Sequence, residues 1–185
     1  MKKFFIALFI FIISSSVFVG FCFSVKFMYF DPTNNLTYLS IAKNEKLFSD
    51  TKNIAIIDPN TDEISYIFED GFKEDIINMY FELKFDQKEG KIIFNIDDNP
   101  SKYSSYGIIK NNVFVDRAIK DKLCILTYNS KTNLYSIWYC DKKGGNLRLV
   151  KAFDRKTGWW IDVRNCKVCF IKQVENQITY DTIEW

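Results

Sequence analysis

Cysteine and acidic side chains are the groups in this chain with capacity for covalent, metal or acid–base chemistry. Cysteines stand at 22, 124, 140, 166 and 169. Cys22 falls in an apolar N-terminal run, which leaves Cys124, Cys140, Cys166 and Cys169 in the body. An even number of cysteines in an exported chain predicts disulfides. Cys124 and Cys140 flank a polar turn near residues 129–133. If residue 128 pairs with 134 or 136, both thiols reach one face of the hairpin and a bridge is expected; otherwise they are two small buried apolar groups. Cys166-Lys167-Val168-Cys169 has the spacing of a redox pair or of half a zinc site. Redox pairs act from a helix N-terminus that lowers the thiol pKa, and an extended CxxC sends its side chains to opposite faces. No metal and no cofactor is therefore expected.

The 185 residues include no histidine. Ser-His and Cys-His catalysis and imidazole metal ligation are excluded at once. Carboxylates remain. Asp58-Pro59-Asn60-Thr61-Asp62 with Glu69 superficially follows a calcium-loop pattern, but Glu63 stands where that loop needs glycine, so a polar hairpin turn is expected. Glu69-Asp70 and Asp97-Asp98 are adjacent acids in loops, read as solvated turn charges. Among aromatics, Trp159-Trp160 with Tyr103 and Tyr106 is the candidate partner surface. In a strand the two tryptophans face opposite sides, so one is expected in the core.

Charge narrows the classes further. The formal net charge is +2, from 25 basic and 23 acidic residues. Lys2 and Lys3 supply that excess, so the remainder carries 23 of each sign and is neutral. No general attraction for a phosphate backbone exists, and nucleic acid is not an expected partner. Met1-Lys2-Lys3 precedes Phe4–Ile13, and no charge occurs from Phe4 to Val25. The layout is that of a secretory signal, cut after Ser16 or Ser24. The same run is long enough to stay as an anchoring helix. Residues 1–24 are thus read as signal peptide or membrane anchor and 25–185 as an extracytoplasmic domain, touching membrane only through its N-terminal segment. Phe21 before Cys22 argues against a lipid anchor.

The body alternates short apolar runs with polar turns. Asn53–Ile57, Glu63–Phe68, Met79–Phe85, Lys91–Ile96, Asn112–Asp116, Lys122–Tyr128, Leu134–Cys140, Asn146–Phe153, Trp159–Val163, Lys167–Lys172 and Ile178–Ile183 read as strands. Helical spacing is met only in Phe72–Tyr80 and, more weakly, Leu39–Phe48. The expected class is all-β.

Internal similarity is visible. Ile54–Ile64 and Ile137–Leu147 each run strand, Asp, polar turn, strand. Phe85-Asp86 before Lys91–Phe94 matches Ile161-Asp162 before Lys167–Phe170. With Trp138, Asp141, Gly144-Gly145, Trp159-Trp160, Asp162, Lys167 and Phe170, residues 134–172 and less clearly 54–96 resemble the repeats of TolB-type β-propellers. The family's Ser-Pro-Asp-Gly turn is replaced here by Ile161-Asp162-Val163-Arg164. The resemblance implies antiparallel sheets in a propeller-like arrangement of about three to four blades, fewer than most closed rings hold. With the export signal and the lack of a nucleophile–base set, the repeats predict a non-catalytic binding or scaffolding role for an unknown protein or glycan partner. The rival readings are a membrane-anchored envelope protein with Phe4–Val25 retained, and an extracytoplasmic hydrolase using Asp86 and Asp162.

Overall fold

The computed structural model describes residues 25–42, 50–70, 72–96 and 108–185. Residues 1–24, Tyr103, Tyr106 and Asp97-Asp98 lie outside them. Among the described residues the chain is all-β, with no helix.

Strands β1 (Met28–Asp31), β2 (Leu36–Ala42), β3 (Thr51–Asp58) and β4 (Glu63–Tyr66) form the first sheet, an antiparallel meander. The middle sheet runs β5 (Asp75–Tyr80), β9 (Leu123–Asn129), β10 (Leu134–Cys140), β11 (Arg148–Asp154). The last sheet runs β8 (Ile108–Lys110), β12 (Gly158–Asp162), β13 (Lys167–Val174), β14 (Gln177–Glu184). Within it β8 is parallel to β12 and the other pairs are antiparallel. Between β5 and β8 in the chain, β6 (Glu82–Asp86) and β7 (Lys91–Phe94) make a separate hairpin.

Alternation along β9 shows how the sheets are layered. Leu123 and Ile125 enter one core with Leu36, Tyr38, Ile54 and Ile56 of the first sheet. Cys124 and Leu126 point the other way, into a second core with Trp159, Ile161, Val168 and Phe170 of the last sheet. The middle sheet is therefore covered on both faces, which is why β9 is apolar without interruption from Leu123 to Leu126. The hairpin contributes to both layers: Phe81, just before it, joins the first core, while Ile92 and Phe94 join the second.

The turns share one chemistry. In the segments 31–35, 58–62, 86–90, 129–133 and 162–166 an Asp or Asn side chain at the first position accepts a backbone N–H two or three residues on, at 2.9–3.0 Å. The fifth position, Asn35, Asp62, Gly90, Asn133 or Cys166, has φ between 51° and 61°. Gly, Asn and Asp tolerate that left-handed region because they lack the steric penalty or offset it locally. Cys166 has no such advantage.

Two expected elements take other forms. Phe72–Tyr80 is not helical: Asp75–Tyr80 is strand β5, with a bulge between Ile76 and Asn78. Leu39–Ala42 belongs to strand β2, and residues 43–48 lie outside the described ones. The run Met79–Phe85 breaks at Phe81, whose N–H and C=O are both held by Asn95. Asn112–Asp116 contributes a single bridge, Val113 to Lys91, because Asn111 and Phe114 have positive φ.

Replacing Cys166 by Asn is expected to raise unfolding free energy by about 0.5–1 kcal/mol, through relief of the left-handed strain. A urea midpoint that moves up at unchanged slope is the confirming readout.

Candidate interaction surface

The hairpin register decides between the two readings of Cys124 and Cys140. In the hairpin Tyr128 stands opposite Tyr135, so Cys124 faces Tyr139 and Cys140 faces Leu123. Cys124 and Cys140 then leave opposite faces of the sheet and enter different cores. Cys166 sits in the turn and Cys169 in β13, and all four are free. Burial pushes the Cys140 thiol up to about 12 and raises Cys124 also, so neither is a thiolate near neutral pH.

The tryptophan pair divides as strand alternation requires. Trp159 is buried, edge-on to Tyr80 at 5.4 Å and beside Phe153, so it belongs to the core and not to a partner surface. Trp160 faces outward on the last sheet. The Lys110 ammonium lies 4.9 Å from its ring centre, and Tyr180 packs at 6.1 Å. Tyr180 in turn donates to the Cys169 sulfur at 3.2 Å.

Asp86 and Asp162, the candidate catalytic acids, are occupied as turn caps. Asp86 accepts from the N–H groups of Lys88 and Glu89. Asp162 accepts from the backbone and side chain of Asn165 and from the Asn111 side chain. Burial pushes Asp162 upward, yet these hydrogen bonds hold its carboxyl below the ordinary range. A carboxylate in this state suits holding a turn better than moving a proton. Glu69 and Asp70 stand at a recess of about 710 Å³ shared with Phe72, Lys73 and Lys131.

Two features escape a residue-by-residue reading. The first is a buried polar centre. Glu82 is fully buried, and each carboxylate oxygen accepts two hydrogen bonds. Arg117 Nη2 and Trp185 Nε1 donate to one oxygen at 2.5 and 2.6 Å. Arg117 Nη1 and the Lys120 N–H donate to the other, each at 2.8 Å. These bonds hold the Arg117 guanidinium above its ordinary pKa. Lys142, buried too, donates 2.7 Å to the Glu82 carbonyl and pairs with buried Asp31 at 3.0 Å.

The second feature is the outer face of the first sheet. Its register aligns Met28, Leu39, Ala55 and Tyr66 in one row. Phe30, Thr37, Ile57 and Ile64 form the next. No charge stands in either row, and Met28, Phe30, Ile64 and Tyr66 are more than half exposed. The last sheet has a counterpart at the opposite end of the stack, where Ile171, Ile178 and Tyr180 are exposed beside Trp160. Alternation in β4, where Ile64 and Tyr66 flank Ser65, is the signal that would have revealed the first face.

A third exposed apolar group is Phe114. It is 82% exposed and left-handed, with φ 60°. Its loop is tied to the hairpin through Val115 N–H to the Gly90 carbonyl and the Asn112 side chain to the Ile92 carbonyl.

No family model matches the chain, and no curated protein or solved structure is significantly similar to it.

Glu82→Ala is expected to cost about 3–5 kcal/mol, since it strands Arg117 and removes four hydrogen bonds, and denaturant unfolding measures it. Alkylation followed by mass spectrometry checks the thiols. Cys124, Cys140, Cys166 and Cys169 should all be labelled in denaturant without reductant, and Cys124 and Cys140 should be protected in the native protein.

Proposed function

We propose that this is an exported, non-catalytic binding or scaffolding protein that works through the outer faces of its end sheets. The observation that carries the reading is the uncharged, exposed apolar face of the first sheet. A soluble domain rarely leaves such a continuous patch open without using it for contact. The face offers few hydrogen-bond donors or acceptors, so a protein surface suits it better than a glycan. Three four-stranded sheets packed face on face support an open, propeller-like fan, in keeping with the TolB-type resemblance of residues 134–172. The uncharged run Phe4–Val25 supports delivery outside the cytosol, as a cleaved signal or as an anchor.

A photo-crosslinking side chain placed at Tyr66 tests the reading in the producing cell, with exposed Lys88 at the hairpin tip as the control position. A discrete adduct from position 66 and none from 88 is expected. Equal labelling at both, or none at either, overturns it.

A further inference from the structure

We infer that the partner of these end faces is a second copy of the chain, the first sheet of each copy stacking on the last sheet of the other. The inference rests on the reading above, that the end faces bind protein, and names the protein.

Within the chain, two junctions of this kind already exist. The middle sheet is stable between neighbours because both its faces carry apolar side chains that interlock with another sheet. The first and last sheets have one such face buried and a second in solvent, which carries exposed apolar side chains on each. Pairing first sheet on last sheet reproduces the internal junctions, which also join unlike sheets. Used in both directions, the single contact covers all four open faces of a pair and closes on itself about a two-fold axis. Pairing like with like leaves one apolar face exposed on each copy.

Size and number agree with two copies. Four strands about 4.8 Å apart, averaging about six residues at about 3.3 Å each, give a face of about 400 Å². Covering both ends buries about 800 Å² on each copy, the extent of a standard stable interface. Radially stacked four-stranded sheets close into rings of about four to eight. Three sheets fall short of that range, and two copies supply six.

Charge does not oppose the contact. The first-sheet rows are uncharged. On the last sheet the exposed Lys167 and Glu184 of the outer face stand directly opposite one another with opposite sign, and Lys110 is folded over Trp160, its charge against the ring face.

Sedimentation velocity on the purified full chain tests this with two surface variants, Tyr66→Lys on the first sheet and Ile178→Glu on the last. Both sites are more than half exposed, so folding should survive, and circular dichroism verifies it. The native protein should sediment at twice the chain mass, and each variant alone should weaken association by about tenfold or more. An equimolar mixture of the two variants should recover the pair, because one contact is then unaltered and the other sets Lys against Glu. A single-copy mass at every concentration up to the solubility limit overturns the inference. So does dissociation by only one of the two variants, which marks a like-on-like contact, and so does an unlimited ladder of sizes. A crosslink from position 66 to a chain of another mass also overturns it, while leaving the binding role intact.

Discussion

The Glu82 carboxylate is the group on which the arrangement of the sheets depends. Its four hydrogen bonds draw the start of the hairpin to Arg117, Lys120 and the indole of Trp185 beyond β14. Its own carbonyl accepts from Lys142, which follows β10 and reaches Asp31 at the end of β1. Lys142 is held in turn by Asp121 at its N–H and by the Tyr38 hydroxyl at its carbonyl. One connected set of polar groups therefore touches all three sheets and the hairpin. Burying an ion costs several kcal/mol unless it is paired and hydrogen-bonded. Here two acids, Asp31 and Glu82, meet two bases, Lys142 and Arg117, with Glu82 fully satisfied.

Apolar packing supplies most of the stabilisation, at roughly 25 cal/mol per Å² of apolar surface buried, but it is non-directional. Ile, Leu, Val and Phe faces on the three sheets can stack in several orders and offsets at similar cost. The polar centre distinguishes among them, because sliding the first sheet by one residue takes Asp31 from Lys142 and leaves both buried and unpaired. The cores set how much is gained on folding, and the ion cluster sets which arrangement gains it. The same lack of direction explains the end faces: nothing in the apolar rows limits them to neighbours within the chain.

Strand content was legible where a short run rich in β-branched and aromatic residues stood between polar turns, as in Leu134–Cys140 and Lys167–Lys172. It failed where one extra residue disturbed the parity. The bulge between Ile76 and Asn78 lets Ile76 and Met79 share a core although three residues apart, with Tyr80 entering the other. A spacing of three and four is what a helix shows, so Phe72–Tyr80 read as one. The cysteine pairing turned on a single step as well. With 128 opposite 135, and not 134 or 136, Cys124 and Cys140 are separated by the sheet itself. The polar centre had no local signature. Glu82 lies in an apolar run as though it pointed to solvent, and its partners are 35 to 103 residues away.

The distribution of polarity bears on function as much as on stability. Asp31 and Glu82 are turned inward to the centre and Asp58, Asp86 and Asp162 are consumed at turn caps, while large apolar side chains occupy open sheet faces. The outer face of the first sheet offers extended, uncharged rows set by backbone register. The body's balance of 23 basic and 23 acidic residues gives a partner no long-range pull. The association proposed for the end faces would then rely on area brought into contact after chance encounter, at unsteered rates of about 10⁵–10⁶ M⁻¹s⁻¹, nearly indifferent to salt. Such kinetics would fit the proposed pairing as a lasting assembly, where slow dissociation matters more than fast capture.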